Sequence, residues 1–275
     1  MSATVGFTWR RTQDLPMKQR IVAIVALLLV VSATGQIRVD KPSGPPGRQR
    51  KPSKGAAEFT FVRTIYNSPF RGWRGSWATD FPEADYHFIL GVRYWSGANL
   101  DISEKPLQMQ IMDPKLFDYP LIYFVEPGYL ELSDEEAHRL REYCLRGGFL
   151  FLDDFWGDYE WENVREQMRK VFPDWGIRDL PLDHSVFHSY FDIDEVVQVP
   201  GIWAWLGRGV TYEKGGIVPH YMGIEDPRGR LVAFIARNCD LGDAWEWIDD
   251  RRYPMKYGLA AYRVGINVIT YAMTH

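Results

Sequence analysis

The sequence predicts a three-layer α/β domain with a mostly parallel central sheet, and three observations predict it. PLIYFVE (120–126) is an unbroken apolar run, as a strand buried on both faces requires. A helical segment, SDEEAHRLREYCLRG (133–147), and a second apolar run, FLFLDD (149–154), follow it with tight loops, which makes a strand–helix–strand unit with parallel strands. The other helical segments each carry one apolar face, as helices lying on a sheet must.

FTFVRTIY (59–66) alternates and is rich in aromatic and β-branched residues, so it reads as the first strand. A loop rich in Gly and Trp (67–85) leads to a helix over 87–97, with Asp80 or Asp85 as its cap. LQMQIM (107–112) is a second strand. Ser133 and Glu136 form a capping box for the helix whose apolar stripe is Ala137, Leu140, Cys144 and Leu145, and Gly147-Gly148 end it. A helix over 161–172 turns Val164, Met168, Val171 and Phe172 to the sheet and stops at Pro173. A strand is expected at 195–199. Two more flank a turn at Asp226-Pro227-Arg228-Gly229. The closing helix, 256–273, presents Ala260, Ala261, Val264, Val268, Ile269 and Ala272.

With 275 residues, 46% of them hydrophobic, the chain can bury one sizeable core. A net charge of -4 gives no basic footprint for nucleic acid. Two cysteines, Cys144 and Cys239, are too few for a disulfide framework. Residues 1–35 read as a secretory signal, with Met17 as an alternative start. Lys18 and Arg20 precede the apolar run 21–31, and Ala33-Thr34-Gly35 offers small residues for cleavage. An uncleaved N-terminal anchor is the other reading, and no stable transmembrane segment is expected beyond it. Residues 36–57, rich in Pro, Gly and basic residues, read as a disordered linker. The folded domain is expected over 58–275, exported to the periplasm or cell envelope of a bacterium.

Open α/β sheets bind ligands beyond the carboxyl ends of their strands. Polar groups fall there in three places: Glu126, the pair Asp153-Asp154 with Trp156 just after, and Asn238 with Asp240. Paired carboxylates at such an edge hold a divalent cation, share a proton or accept loop N–H groups. His184 and His188 lie four apart, but no glutamate completes a zinc helix motif, so no resident metal is assigned. His188 is the histidine expected to meet Asp153 or Asp154. Asp154 and His188 are the catalytic candidates. Asp80, Glu126, Asp153, Trp156, His184, Asn238 and Asp240 are the ligand-binding ones. No dinucleotide fingerprint, phosphate loop or serine elbow is present.

WATDFPEAD, the stretch FDYPLIYFVEPGYLELSDEEAHRLREYCLRGGFLFLDD, DHSVFHSYF, NCDLGDAWEW and GINVITYAMTH together resemble the bacterial DUF4159 domain over about 58–275. The resemblance implies a flavodoxin-like, class I glutamine amidotransferase-like fold with ThuA-like proteins as distant relatives. It implies no reaction. The superfamily's cysteine after a central strand is replaced here by Glu126-Pro127-Gly128, and a Gly-His-Gly segment is absent. The leading expectation is therefore an envelope domain that binds a small polar ligand, a glycan or a protein partner without a cofactor. The alternative is a hydrolase-like enzyme on a carbohydrate or amide, with Asp153 and Asp240 orienting a divalent metal or water.

Overall fold

The computed structural model describes residues 57–69, 77–96 and 100–275. Within them the chain runs β1 (Val62–Ile65), α1 (Glu83–Ser96), β2 (Leu107–Gln110), β3 (Leu121–Val125), α2 (Asp134–Leu145), β4 (Phe149–Phe155), α3 (Gly157–Val171), β5 (Arg178–Asp179), α4 (Ile202–Arg208), β6 (His220–Glu225), β7 (Leu231–Arg237), α5 (Leu241–Glu246) and α6 (Met255–Thr274). The strands form one sheet in the order β2-β1-β3-β4-β7-β6-β5. The first five of these are parallel to their neighbours, and β6 and β5 close one edge antiparallel.

Alternation along the central strands divides the apolar residues between two cores. Leu121, Tyr123 and Val125 of β3 and Phe149 and Phe151 of β4 face the layer containing α1, α5 and α6. Ile122, Phe124, Leu150 and Leu152 face α2 and α3. Helices therefore cover both faces, and the layered, mostly parallel α/β architecture expected from the sequence is the one observed. Ser133 caps α2 with the reciprocal Glu136 bond that the capping box requires.

Four local expectations are corrected. Residues 195–199 form no strand. Their backbone instead laces loops together: the Val199 carbonyl accepts from Asp240 N–H, and the Val197 carbonyl accepts from the Tyr221 hydroxyl. Leu145 is 52% exposed, and Tyr143 joins Ala137, Leu140 and Cys144 in the core instead. Asp85 caps nothing. It is buried in the first turn of α1 and takes a forked set of bonds from Arg63. Asp80 contributes only its carbonyl to the start of that helix, accepting from Ala84 N–H. The signal and anchor readings and nearly all of the linker lie outside the described residues. No helix among the described residues is long and apolar enough to cross a membrane.

The Arg63–Asp85 pair has both side chains fully buried. Losing one partner of such a pair costs about 3–5 kcal/mol, because the other charge is left unpaired in a dry core. Arg63 also donates to the carbonyls of Trp77 at 3.1 Å and Thr79 at 2.7 Å. A side chain of β1 thereby fixes the segment that delivers Asp80 to the end of the sheet.

Candidate metal centre

Parallel pairing brings the carboxyl ends of β3, β4 and β7 to one edge, with Val125 beside Asp153 and Phe155 beside Arg237. Glu126, Asp154 and Asn238 at these ends have φ of 47°, 58° and 58°, and Asp80 has 61°. This left-handed region is uncommon for residues with a Cβ, and Asp and Asn enter it most readily. At Asp154 it coincides with a break in the β4–β7 register between Leu152 and Phe155, so the chain leaves the pleat where the acids begin.

The adjacent aspartates have different roles. Asp153 is fully buried and accepts from the Tyr123 hydroxyl (2.9 Å) and the backbone N–H groups of Leu241 (3.1 Å) and Gly242 (2.9 Å). It ties β3 and β4 to the start of α5. Burial raises its carboxyl to about 7 against those three donors. Asp154 accepts from the Trp156 indole N–H at 2.9 Å. Trp156 is 1% exposed, so it orients Asp154 and offers no stacking face. Asn238 spends its amide on the Gly157 N–H and the Val218 carbonyl, stitching loops together. Glu126 accepts from the Thr79 hydroxyl at 3.0 Å, which links the end of β3 to the segment bearing Asp80.

Two overlapping trios converge at this edge. Carboxylate oxygens of Asp80, Asp154 and Asp240 lie within 4.8 Å of one another, and so do those of Asp80, Asp243 and Glu246. Asp80 Oδ2 is buried and has no hydrogen-bond partner among the described residues. Asp240 uses one oxygen to cap α5 through Asp243 N–H (2.7 Å), and Asp243 accepts from Ile202 N–H (2.5 Å). Burial, then repulsion from neighbouring carboxylates (Asp243 for Asp80, Glu126 for Asp154, Asp154 for Asp240), holds the carboxyls of Asp80, Asp154 and Asp240 well above the ordinary range. Asp243 is raised likewise, chiefly by burial and against the pull of the Ile202 N–H. Backbone approaches close around them. A Cβ on Gly242 would come within 2.5 Å of Asp80 Oδ2, and one on Gly201 within 2.5 Å of Glu213 Oε1 and 3.0 Å of Asp240 Oδ2.

The match that names the family spans this whole arrangement. The family model described as a domain of unknown function, DUF4159, matches residues 59–273. The chain belongs to the DUF4159 family. No curated protein matches it. Of the side chains singled out from the sequence of this DUF4159 domain, Asp80, Glu126, Asp153, Asp154, Trp156, Asn238 and Asp240 meet at the carboxyl edge. The two histidines do not join them. His184 Nε2 lies 3.5 Å from Glu225, at the end of β6 that pairs with the start of β7, so it occupies the opposite edge of the sheet. His188 bonds Asp192 through Nδ1 (2.8 Å) and the Leu182 carbonyl through Nε2 (2.9 Å), which commits both ring nitrogens within its own segment. The expected pairing of His188 with Asp153 or Asp154 is therefore replaced by an all-carboxylate cluster.

Asp243 and Glu246 are the trio members that sequence reasoning missed. Asp243 and Glu246 lie in α5, a six-residue helix too short to show a period. The usable signal was NCDLGDAWEW itself, which spaces three acids three residues apart and so places Asp243 and Glu246 one helical turn apart. Cys144 and Cys239 are free and buried, and burial pushes both thiols well above the ordinary value.

Proposed function

We propose that this domain is a divalent-cation-dependent, hydrolase-like protein of the bacterial cell envelope acting on a carbohydrate or amide substrate. The observation that carries the reading is the Asp80 carboxylate: its Oδ2 is buried without a hydrogen-bond partner among the described residues, and the carboxylates of Asp80, Asp154 and Asp240 approach within 4.8 Å of one another. A buried carboxylate left unsatisfied is costly, and a hard cation with oxygen ligands at about 2.0–2.6 Å removes that cost. A bound divalent ion supplies Lewis acidity and lowers the pKa of its water. Asp80, Asp154 and Asp240 would hold the ion, while Asp153 and Arg63 fix the segments that carry these ligands.

A second reading shares the cation but dispenses with turnover. Both thiols are buried and His184 and His188 are bonded away from the cluster, so no nucleophile–base pair stands beside it among the described residues. This favours a module that grips a small polar ligand, a glycan or a partner protein through the ion. Placement among the flavodoxin-like, amidotransferase-like and ThuA-like folds is part of the proposal and rests on the strand order and the motif resemblance. Export rests on the segment 17–36.

Metal analysis of the purified protein after incubation with Mg²⁺, Mn²⁺ or Ca²⁺ tests the cation. Retention by wild type and loss in Asp80→Asn is expected, and a wild-type protein that retains none of these ions overturns the proposal. Assay of the loaded protein against glycoside, ester and amide substrates then separates the readings. Turnover supports the hydrolase; saturable binding of a glycan without turnover supports the module. Fractionation of expressing cells tests export.

A further inference from the structure

We propose that the centre takes two cations, with Asp80 bridging them. The inference rests on the cation-binding reading above and adds the second ion. Asp80 is the member common to both trios, grouped with Asp154 and Asp240 in one and with Asp243 and Glu246 in the other. Oxygens bound to one hard cation at about 2.0–2.6 Å lie no more than roughly 4–5 Å apart, and the oxygens inside each trio lie within 4.8 Å of one another. A carboxylate serves two ions by giving one oxygen to each. Asp80 Oδ2 is buried and unpartnered among the described residues, and Gly242 leaves room in front of it that a Cβ would fill.

Charge points the same way. The five carboxylates of the two trios carry five negative charges when ionised. Among the described residues, the cations that act on Asp80 and Asp154 are committed elsewhere: Arg63 to Asp85, and Lys214 to Glu160 at 2.5 Å. With all five ionised, one divalent ion compensates two of the charges and two ions compensate four, so a second ion favours the ionised cluster. Two-ion sites of this kind hold their metals about 3.5–4 Å apart, within the span of one carboxylate.

Mn²⁺ is the probe, because its binding can be counted and two neighbouring ions alter each other's electron spin resonance. Titration of the full chain is expected to show two equivalents, with an exchange-coupled spectrum when both are bound. Glu246→Gln should lose one equivalent and the coupling while keeping the other ion, and Asp240→Asn should do the converse. Asp80→Asn should lose both. Glu246 is half-buried at the edge of the cluster, so its variant keeps the test informative even where Asp80→Asn fails to fold. One equivalent with an uncoupled spectrum overturns the second ion and leaves the cation reading standing. No equivalents overturn both.

Discussion

At the scale of single residues, adjacent aspartates with the same chemistry are separated by their partners. Asp153 has three donors and is a structural joint; Asp154 has one and looks toward Asp80 and Asp240. Asp153→Ala should therefore destabilise the fold by about 3 kcal/mol, since it orphans a buried hydroxyl and two backbone N–H groups. Urea unfolding measures this, and a loss below about 1 kcal/mol would contradict the role. Gly201→Ala tests the site without straining the chain. Gly201 sits at φ -64° and ψ 144°, which any residue adopts, yet its new methyl would press on Glu213 and Asp240. Cation affinity should fall at least tenfold, about 1.4 kcal/mol, while the far-ultraviolet circular dichroism stays unchanged.

Elements place these residues. β3 and β4 run side by side in the same direction, so their acids emerge together, and α5 starts against Asp153. At the other end of the sheet, the β6–β7 turn offers a pH-dependent contact remote from the acids. Asp226 accepts from the N–H groups of Arg228 (2.8 Å) and Arg230 (3.0 Å), and these bonds with the two guanidinium groups hold its carboxyl below the usual range despite burial. A carboxyl depressed in the folded state contributes stability that is fully present above its unfolded value, about 3.9, and is lost as pH falls through the folded value. Asp226→Asn keeps the accepting oxygen but not the charge. It should lower stability at pH 7 and flatten the acid limb of a stability-against-pH curve below about pH 4. An acid limb identical to wild type would contradict the assignment.

For the whole molecule, one sheet with helices on both faces makes the acidic edge depend on every layer. Asp80 comes from the segment before α1, Asp154 from β4, Asp240 from the loop after β7, and Asp243 and Glu246 from α5. A cation seated among them should act as a clamp on the fold. Residues 57–275 expressed alone should unfold at a higher temperature with saturating Mn²⁺ than with chelator. At free ion one hundred times the dissociation constant, one site adds about 2.7 kcal/mol. Equal melting temperatures in the two conditions would sink that prediction.

The sequence by itself determined the layered α/β class, the parallel β3–α2–β4 unit, the turn at Asp226 and the edge on which the acids gather. These depend on local signals: continuous apolar runs, a capping box and helical spacing between neighbours. Tertiary structure decided which acids face each other, that Asp153 is a joint, that residues 195–199 lace loops, and that His184 belongs to the opposite edge. It also brought Asp80 against Asp240 and drew Asp243 and Glu246 into the centre. The physical reason is range. A period of two or 3.6 residues constrains neighbours in the chain, whereas the approach of residues 80, 154 and 240 is set by sheet order and by buried bonds such as Arg63 to Thr79, which no local pattern encodes.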